Sequence, residues 1–112
     1  MKIETKSTGD IKVVNIIGIM DTSTSPQAEE NIKDILDKGC TKMVINLAET
    51  EYMSSSGLRV LLSTAKKLWA NKGQFRICEP NKVVKDILDT SGFSVIMDVR
   101  DDEADATSSL MT

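Results

Sequence analysis

Apolar residues recur along this chain at two different periods, and the alternation predicts an ordered series of strands and helices. Near the start, Ile3 and Thr5 alternate with Lys2, Glu4 and Lys6, the period of a half-exposed edge strand. Gly9-Asp10 is a turn signal. Ile11, Val13, Val14, Ile16 and Ile17 then form a β-branched run suited to a strand buried on both faces. Gly18 to Ser25 reads as loop. Ser25-Pro26 predicts a helix start, with Ser25 as N-cap and proline in the first helical position. Ala28, Ile32, Ile35 and Leu36 share one face of that helix, and Gly39 ends it.

In the centre, Met43 to Leu47 reads as a short strand and Ala48 to Met53 as loop. Leu58, Leu61, Leu62, Ala65, Leu68 and Trp69 follow at i, i+3, i+4, i+7, i+10 and i+11, the strongest helical period in the chain. This spacing places Trp69 toward the core, and Met53 reads as a core filler. Asn71-Lys72-Gly73 stops the helix. Phe75, Ile77 and Cys78 predict another strand. Pro80-Asn81 introduces a helix with Val83, Val84, Ile87 and Leu88 on one face and Gly92 as its C′ residue. Phe93, Val95, Ile96 and Val99 predict a final short strand. The acidic end, 101–112, is expected to add a helical turn or two with Asp101 as cap.

Strands alternating with helices imply mostly parallel pairing through right-handed crossovers, and the opening hairpin adds an antiparallel edge. The fold class expected is therefore α/β: one domain over 1–112, with a mixed four- to five-stranded sheet packed against amphipathic helices. A chain of 112 residues, 40% hydrophobic and 28% charged, has material for one core. The net charge of −3 argues against a general nucleic-acid binder, which needs a basic face. No leader or membrane-spanning run is visible, so a soluble cytoplasmic protein that binds neither membrane nor nucleic acid is expected.

The chain has no histidine, which removes Ser-His-Asp and Cys-His catalysis and His-ligated zinc within one chain. Its two cysteines, Cys40 and Cys78, form no CxxC and read as reduced thiols. Phosphate-binding glycine loops, HExxH and EF-hand spacings are absent, and neither a cofactor nor a metal is expected. A serine–lysine hydrolase built on the serines at 54–56 is opposed by distance, since Lys66 and Lys67 lie roughly 15 Å along the helix from them.

What stands out is Ser54-Ser55-Ser56-Gly57-Leu58, where a loop meets the most strongly patterned helix. One serine suffices to cap a helix; three in succession exceed that need. A helix N-terminus also accommodates a phosphoryl group, through its free amides and its dipole. Phosphorylation there adds about −1.5 to −2 charge without unfolding the helix.

The stretch from Tyr52 to Leu62, YMSSSGLRVLL, resembles the signature of bacterial anti-sigma factor antagonists, the STAS domain family. Gly18-Ile19-Met20-Asp21, Val44-Ile45-Asn46-Leu47 and Asp89-Thr90-Ser91-Gly92-Phe93 resemble family segments in the same order. The resemblance implies a single STAS-type domain and a non-enzymatic, monomeric partner switch. The unmodified protein would bind an anti-sigma factor that is also a serine kinase, releasing a sigma factor for transcription. Phosphorylation would end the interaction and a metal-dependent serine phosphatase would restore it. The acceptor maps to Ser55, with Ser56 and then Ser54 behind it. The partner-facing positions implied are Met20, Asp21, Thr22, Ser54, Ser56, Gly57, Leu58 and Arg59. Two residues depart from the family pattern: Ser54 stands where an aspartate is usual, and Arg59 where a small residue is common. Arg59, four residues after Ser55, could pair with a phosphoryl group or with an acid on the partner. The alternative reading is a STAS-fold scaffold subunit of a signalling or transport assembly without a serine switch.

Overall fold

A computed structural model of the chain describes residues 1–111, so Thr112, the last residue of the acidic end, lies outside the described residues. The elements run β1 (Lys2–Thr8), β2 (Ile11–Met20), α1 (Ser25–Asp37), β3 (Lys42–Asn46), β4 (Thr50–Met53), α2 (Ser55–Ala70), β5 (Gln74–Cys78), α3 (Lys82–Thr90), α4 (Phe93–Ile96), β6 (Val99–Arg100) and α5 (Glu103–Ser108). The sheet is mixed and six-stranded, in the order β1-β2-β3-β5-β6, with β4 paired to the far end of β2. β1 pairs antiparallel with β2, and the other pairings are parallel. The expected α/β class and antiparallel edge are present. None of the described helices is long and apolar enough to cross a membrane.

Alternation along the strands divides the core. Val14, Ile16, Met43, Ile45, Phe75 and Ile77 face α1, α2 and α3, which contribute Ala28, Ile32, Val60, Leu61, Ala65, Leu68, Val84 and Leu88. On the opposite face, Ile11, Val13, Val44 and Cys78 meet Ala106 and Leu110 at the C-terminal helix. Full burial of residues such as Leu61 and Leu68 contributes about 1.5–3 kcal/mol each. Cys78 is fully buried, and burial, with Glu79 and Glu103 nearby, pushes its thiol up to about 12. Cys40 is half-buried and free.

Six local expectations are corrected. β2 runs on through Gly18, Ile19 and Met20, where loop is expected, because these residues pair with β4. The segment from Phe93 to Ile96 is helical rather than extended, because Phe93 and Met97 must turn inward four residues apart while Val95 stays 88% exposed. Only Val99 and Arg100 join the sheet there. The expected loop before α2 contains β4, which supplies the strand beyond the expected four or five. α1 is capped by Thr24 rather than Ser25, since the turn after β2 closes one residue early. Asp102 rather than Asp101 caps α5, accepting the Asp105 amide at 2.7 Å. Trp69 is 44% exposed, because the buried stripe of α2 runs through Gly57, Val60, Leu61, Thr64, Ala65 and Leu68 and leaves Trp69 to one side.

β4 sets the entry to α2. The Thr50 hydroxyl donates to the Ile16 carbonyl at 2.6 Å, and the Asn81 side-chain amide donates to the Thr50 carbonyl at 2.8 Å. At the far end the Ser54 amide donates to the Met20 carbonyl at 2.8 Å, so the chain enters α2 fastened to the end of β2.

Candidate functional site

The serine run begins at the N-cap of α2. Ser54 is extended (φ −83°, ψ 177°), as an N-cap residue should be, yet its side chain makes no capping hydrogen bond. Its hydroxyl is buried and unpartnered. Ser55, the first residue of the 16-residue helix, is exposed. Ser56 is half-buried, and its hydroxyl lies 3.2 Å from that of Thr22 across the gap to the turn after β2. The amides of Ser55, Ser56 and Gly57 have no helical carbonyl four residues back, and no side-chain cap replaces it.

At Gly57 the helix lies close against β2 and β4. A Cβ there would lie 2.6 Å from Met53 Cγ and 3.0 Å from Met20 Cβ. The two methionines are fully buried, so Met53 is the core filler expected. Met20 is a correction: at 0% exposure it supports the surface from beneath and is not itself open to a partner.

Asp21 organises the turn that faces Ser56. Its Oδ1 accepts from the Ser23 amide at 2.9 Å, the Ser23 hydroxyl at 2.8 Å and the Thr24 amide at 3.1 Å. The Ser23 hydroxyl and then the Thr24 amide hold this carboxyl below the usual aspartate range. Thr24 closes the turn by donating its hydroxyl to the Ile19 carbonyl at 2.8 Å. Thr22 is thereby presented outward, exposed, beside Ser56.

Two concavities border the first turns of α2, one reaching Ser56, next to Ser55, and the other Leu58. One, about 410 Å³, lies between the first turns of α1 and α2 and is lined by Thr22, Ser25, Glu29, Ser56, Arg59 and Ser63, among others. The other is a shallow apolar depression where Leu58 of α2 meets Ile87 of α3. Thr22, Ser56 and Arg59, expected at the surface, thus share one cleft, and Leu58 borders the second. The sequence did not reveal Ser25, Ser63, Glu29 or Ile87 as neighbours of the site. Ser63 follows Ser56 by seven residues, a spacing that places both on one helix face. Four apolar positions in the nine-residue α3 exceed what its two buried side chains, Val84 and Leu88, require.

The arrangement offers hydroxyls, free amides and a guanidinium on a rigid frame. In a chain without histidine it has no imidazole base to activate a serine. It suits receiving a modification and docking against another protein.

The STAS domain family model matches residues 2–106. The chain is 29% identical over 111 residues to the anti-sigma F factor antagonist of Paenibacillus polymyxa, covering 98% of this chain and 95% of that one. Among solved structures it resembles an anti-sigma factor antagonist from Mycobacterium paratuberculosis, with a TM-score of 0.92, 22% identity and coverage of 99% and 94%. It also resembles the phosphorylated form of the Bacillus cell fate determinant SpoIIAA, with a TM-score of 0.76, 21% identity and coverage of 97% and 99%.

Proposed function

This chain belongs to the STAS domain family, and from that premise we propose that it is an anti-sigma factor antagonist working as a phosphorylation-controlled binding switch. In the unmodified state it docks on an anti-sigma factor that is also a serine kinase, and so frees a sigma factor for transcription. The docking surface comprises the Asp21–Thr22 turn, the Ser54–Arg59 turn of α2 and the Leu58–Ile87 depression. The kinase transfers the γ-phosphoryl group of ATP to Ser55 Oγ, which loses its proton as ADP departs. The added dianion disrupts the fitted surface, and a metal-dependent serine phosphatase resets it. The protein itself catalyses nothing in this cycle.

The observation that carries this reading is the contrast among adjacent positions. Ser54 has a buried hydroxyl, Ser56 is half-buried against Thr22, and Gly57 is sealed against two methionines. Ser55 alone of the three serines is exposed, at the start of a helix whose first turn is uncapped and tolerant of negative charge. Incubation with the cognate kinase and ATP, followed by peptide mapping, tests it. Modification is expected on Ser55 and absent from Ser55→Ala; unchanged incorporation into that variant would refute the assignment.

A further inference from the structure

The cleft between α1 and α2 contains two groups that the fold leaves unused. The Arg59 guanidinium is exposed and forms no ion pair among the described residues. Ser25, on the facing helix, is only 5% exposed, and its hydroxyl has no hydrogen-bond partner. Buried hydroxyls are nearly always paired. One that lines a cleft without a partner therefore points to an acceptor that arrives from outside the resting fold.

Geometry indicates which acceptor. Arg59 follows Ser55 by four residues, so the two share one face of α2. Side chains on a helix lean toward its N-terminus, which carries the guanidinium back over the Ser55–Ser56 turn. The uncapped first-turn amides point the same way. Two carboxylates stand nearby. Glu29 lines the far wall without pairing to Arg59, and Asp21 is engaged by its own turn.

We propose that this cleft is a receptor for a phosphoryl group carried on Ser55 of the same chain, with Arg59 as its clamp and the Ser25 and Ser56 hydroxyls and the first-turn amides of α2 as further donors. The inference rests on Ser55 being the modified serine. Phosphorylation then does more than add charge. It draws Arg59 and the phosphate together over the cleft, so the surface offered to a partner is covered as well as recharged.

Phosphoserine can be placed at position 55 of the full chain during translation, with no kinase involved, and its second ionisation followed by phosphorus NMR. The midpoint is expected about half a unit or more below the ordinary value near 6. Arg59→Ala should return it most of the way, and Arg59→Lys only part of the way, because lysine lacks the planar fork. A midpoint unmoved by Arg59→Ala overturns the proposal. Since no kinase enters, the two failures are distinguishable: an unshifted midpoint overturns the receptor and leaves Ser55 phosphorylation standing, whereas a kinase that ignores Ser55 removes the premise on which the receptor rests.

Discussion

The hydroxyls of Thr22 and Ser56 lie 3.2 Å apart, 34 residues distant in sequence, and join the turn after β2 to the first turn of α2. The pair is exposed, so water competes for both oxygens and the net contribution to folding is small. The turn and the helix are already fastened by the Ser54 amide on the Met20 carbonyl. Thr22→Val, which keeps the shape and removes the hydroxyl, should change stability by less than about 0.5 kcal/mol in urea denaturation. Affinity for the anti-sigma partner should fall several-fold. A stability loss above about 1 kcal/mol would make the contact structural.

Gly57 behaves oppositely. A methyl group there meets the flexible end of Met53 at 2.6 Å, which can move, but also Met20 Cβ at 3.0 Å and the Met20 carbonyl at 3.4 Å, which cannot move far. That carbonyl accepts the Ser54 amide, so lifting the helix strains the bond that seats its first turn. Gly57→Ala is expected to cost about 1–3 kcal/mol. Hydrogen exchange at the Ser54 amide should accelerate beyond the global change. Unaltered stability would show that α2 can slide off the sheet at little cost.

These two neighbours show where the sequence was legible. The period in Leu58, Leu61, Leu62, Ala65 and Leu68 located α2, and β-branched runs located β2 and β3, because apolar residues there match the burial they receive. The buried stripe nevertheless passes through Gly57 and Thr64. A glycine marks close approach without adding hydrophobicity, and Thr64 satisfies its hydroxyl within the helix by donating to the Val60 carbonyl at 2.8 Å. The buried stripe therefore runs about one residue ahead of the apolar period, which leaves Trp69 outside it. The same limit hid α4, where β-branched residues are exposed and the inward pair is Phe93 and Met97. At the site, the serine run and Arg59 were visible as residue types. That Ser25 faces them depends on how α1 packs on α2, which no local pattern encodes.

Ser25 carries a stability cost that a substitution should recover. Its hydroxyl is buried without a partner, and an unsatisfied buried polar group costs about 1–3 kcal/mol. Alanine at the first position of α1 removes the group with little change in packing. Ser25→Ala should therefore raise the stability of the unmodified chain by about 1 kcal/mol in urea denaturation. Loss of stability would mean that the hydroxyl is satisfied in the resting protein.

Acid should weaken the cluster around Asp98 and the contacts of Glu103. Asp98 receives Arg100 through Nε on Oδ1 and through Nη2 on Oδ2 at 3.0 Å, while Arg76 Nε lies 3.1 Å from Oδ2. The Arg100 hydrogen bonds, helped by the Arg76 charge and opposed by burial, hold the Asp98 carboxyl below its usual range. A carboxyl depressed in the folded state contributes stability that is fully present above its unfolded pKa, near 3.9, and is lost as pH falls through the lower folded value. Glu103 acts in the same direction: burial alone would raise it, but the Lys6 and Asn46 hydrogen bonds bring it below normal. Stability should thus be flat near neutrality and decline below about pH 4. Asp98→Asn should shallow that acid limb. Because the Asp98 side chain is 37% exposed, solvent screening keeps the loss at pH 7 under about 1 kcal/mol. Urea midpoints for the two proteins between neutrality and pH 3 test this. Parallel curves throughout would mean that the Arg76–Asp98–Arg100 cluster contributes nothing to the acid response.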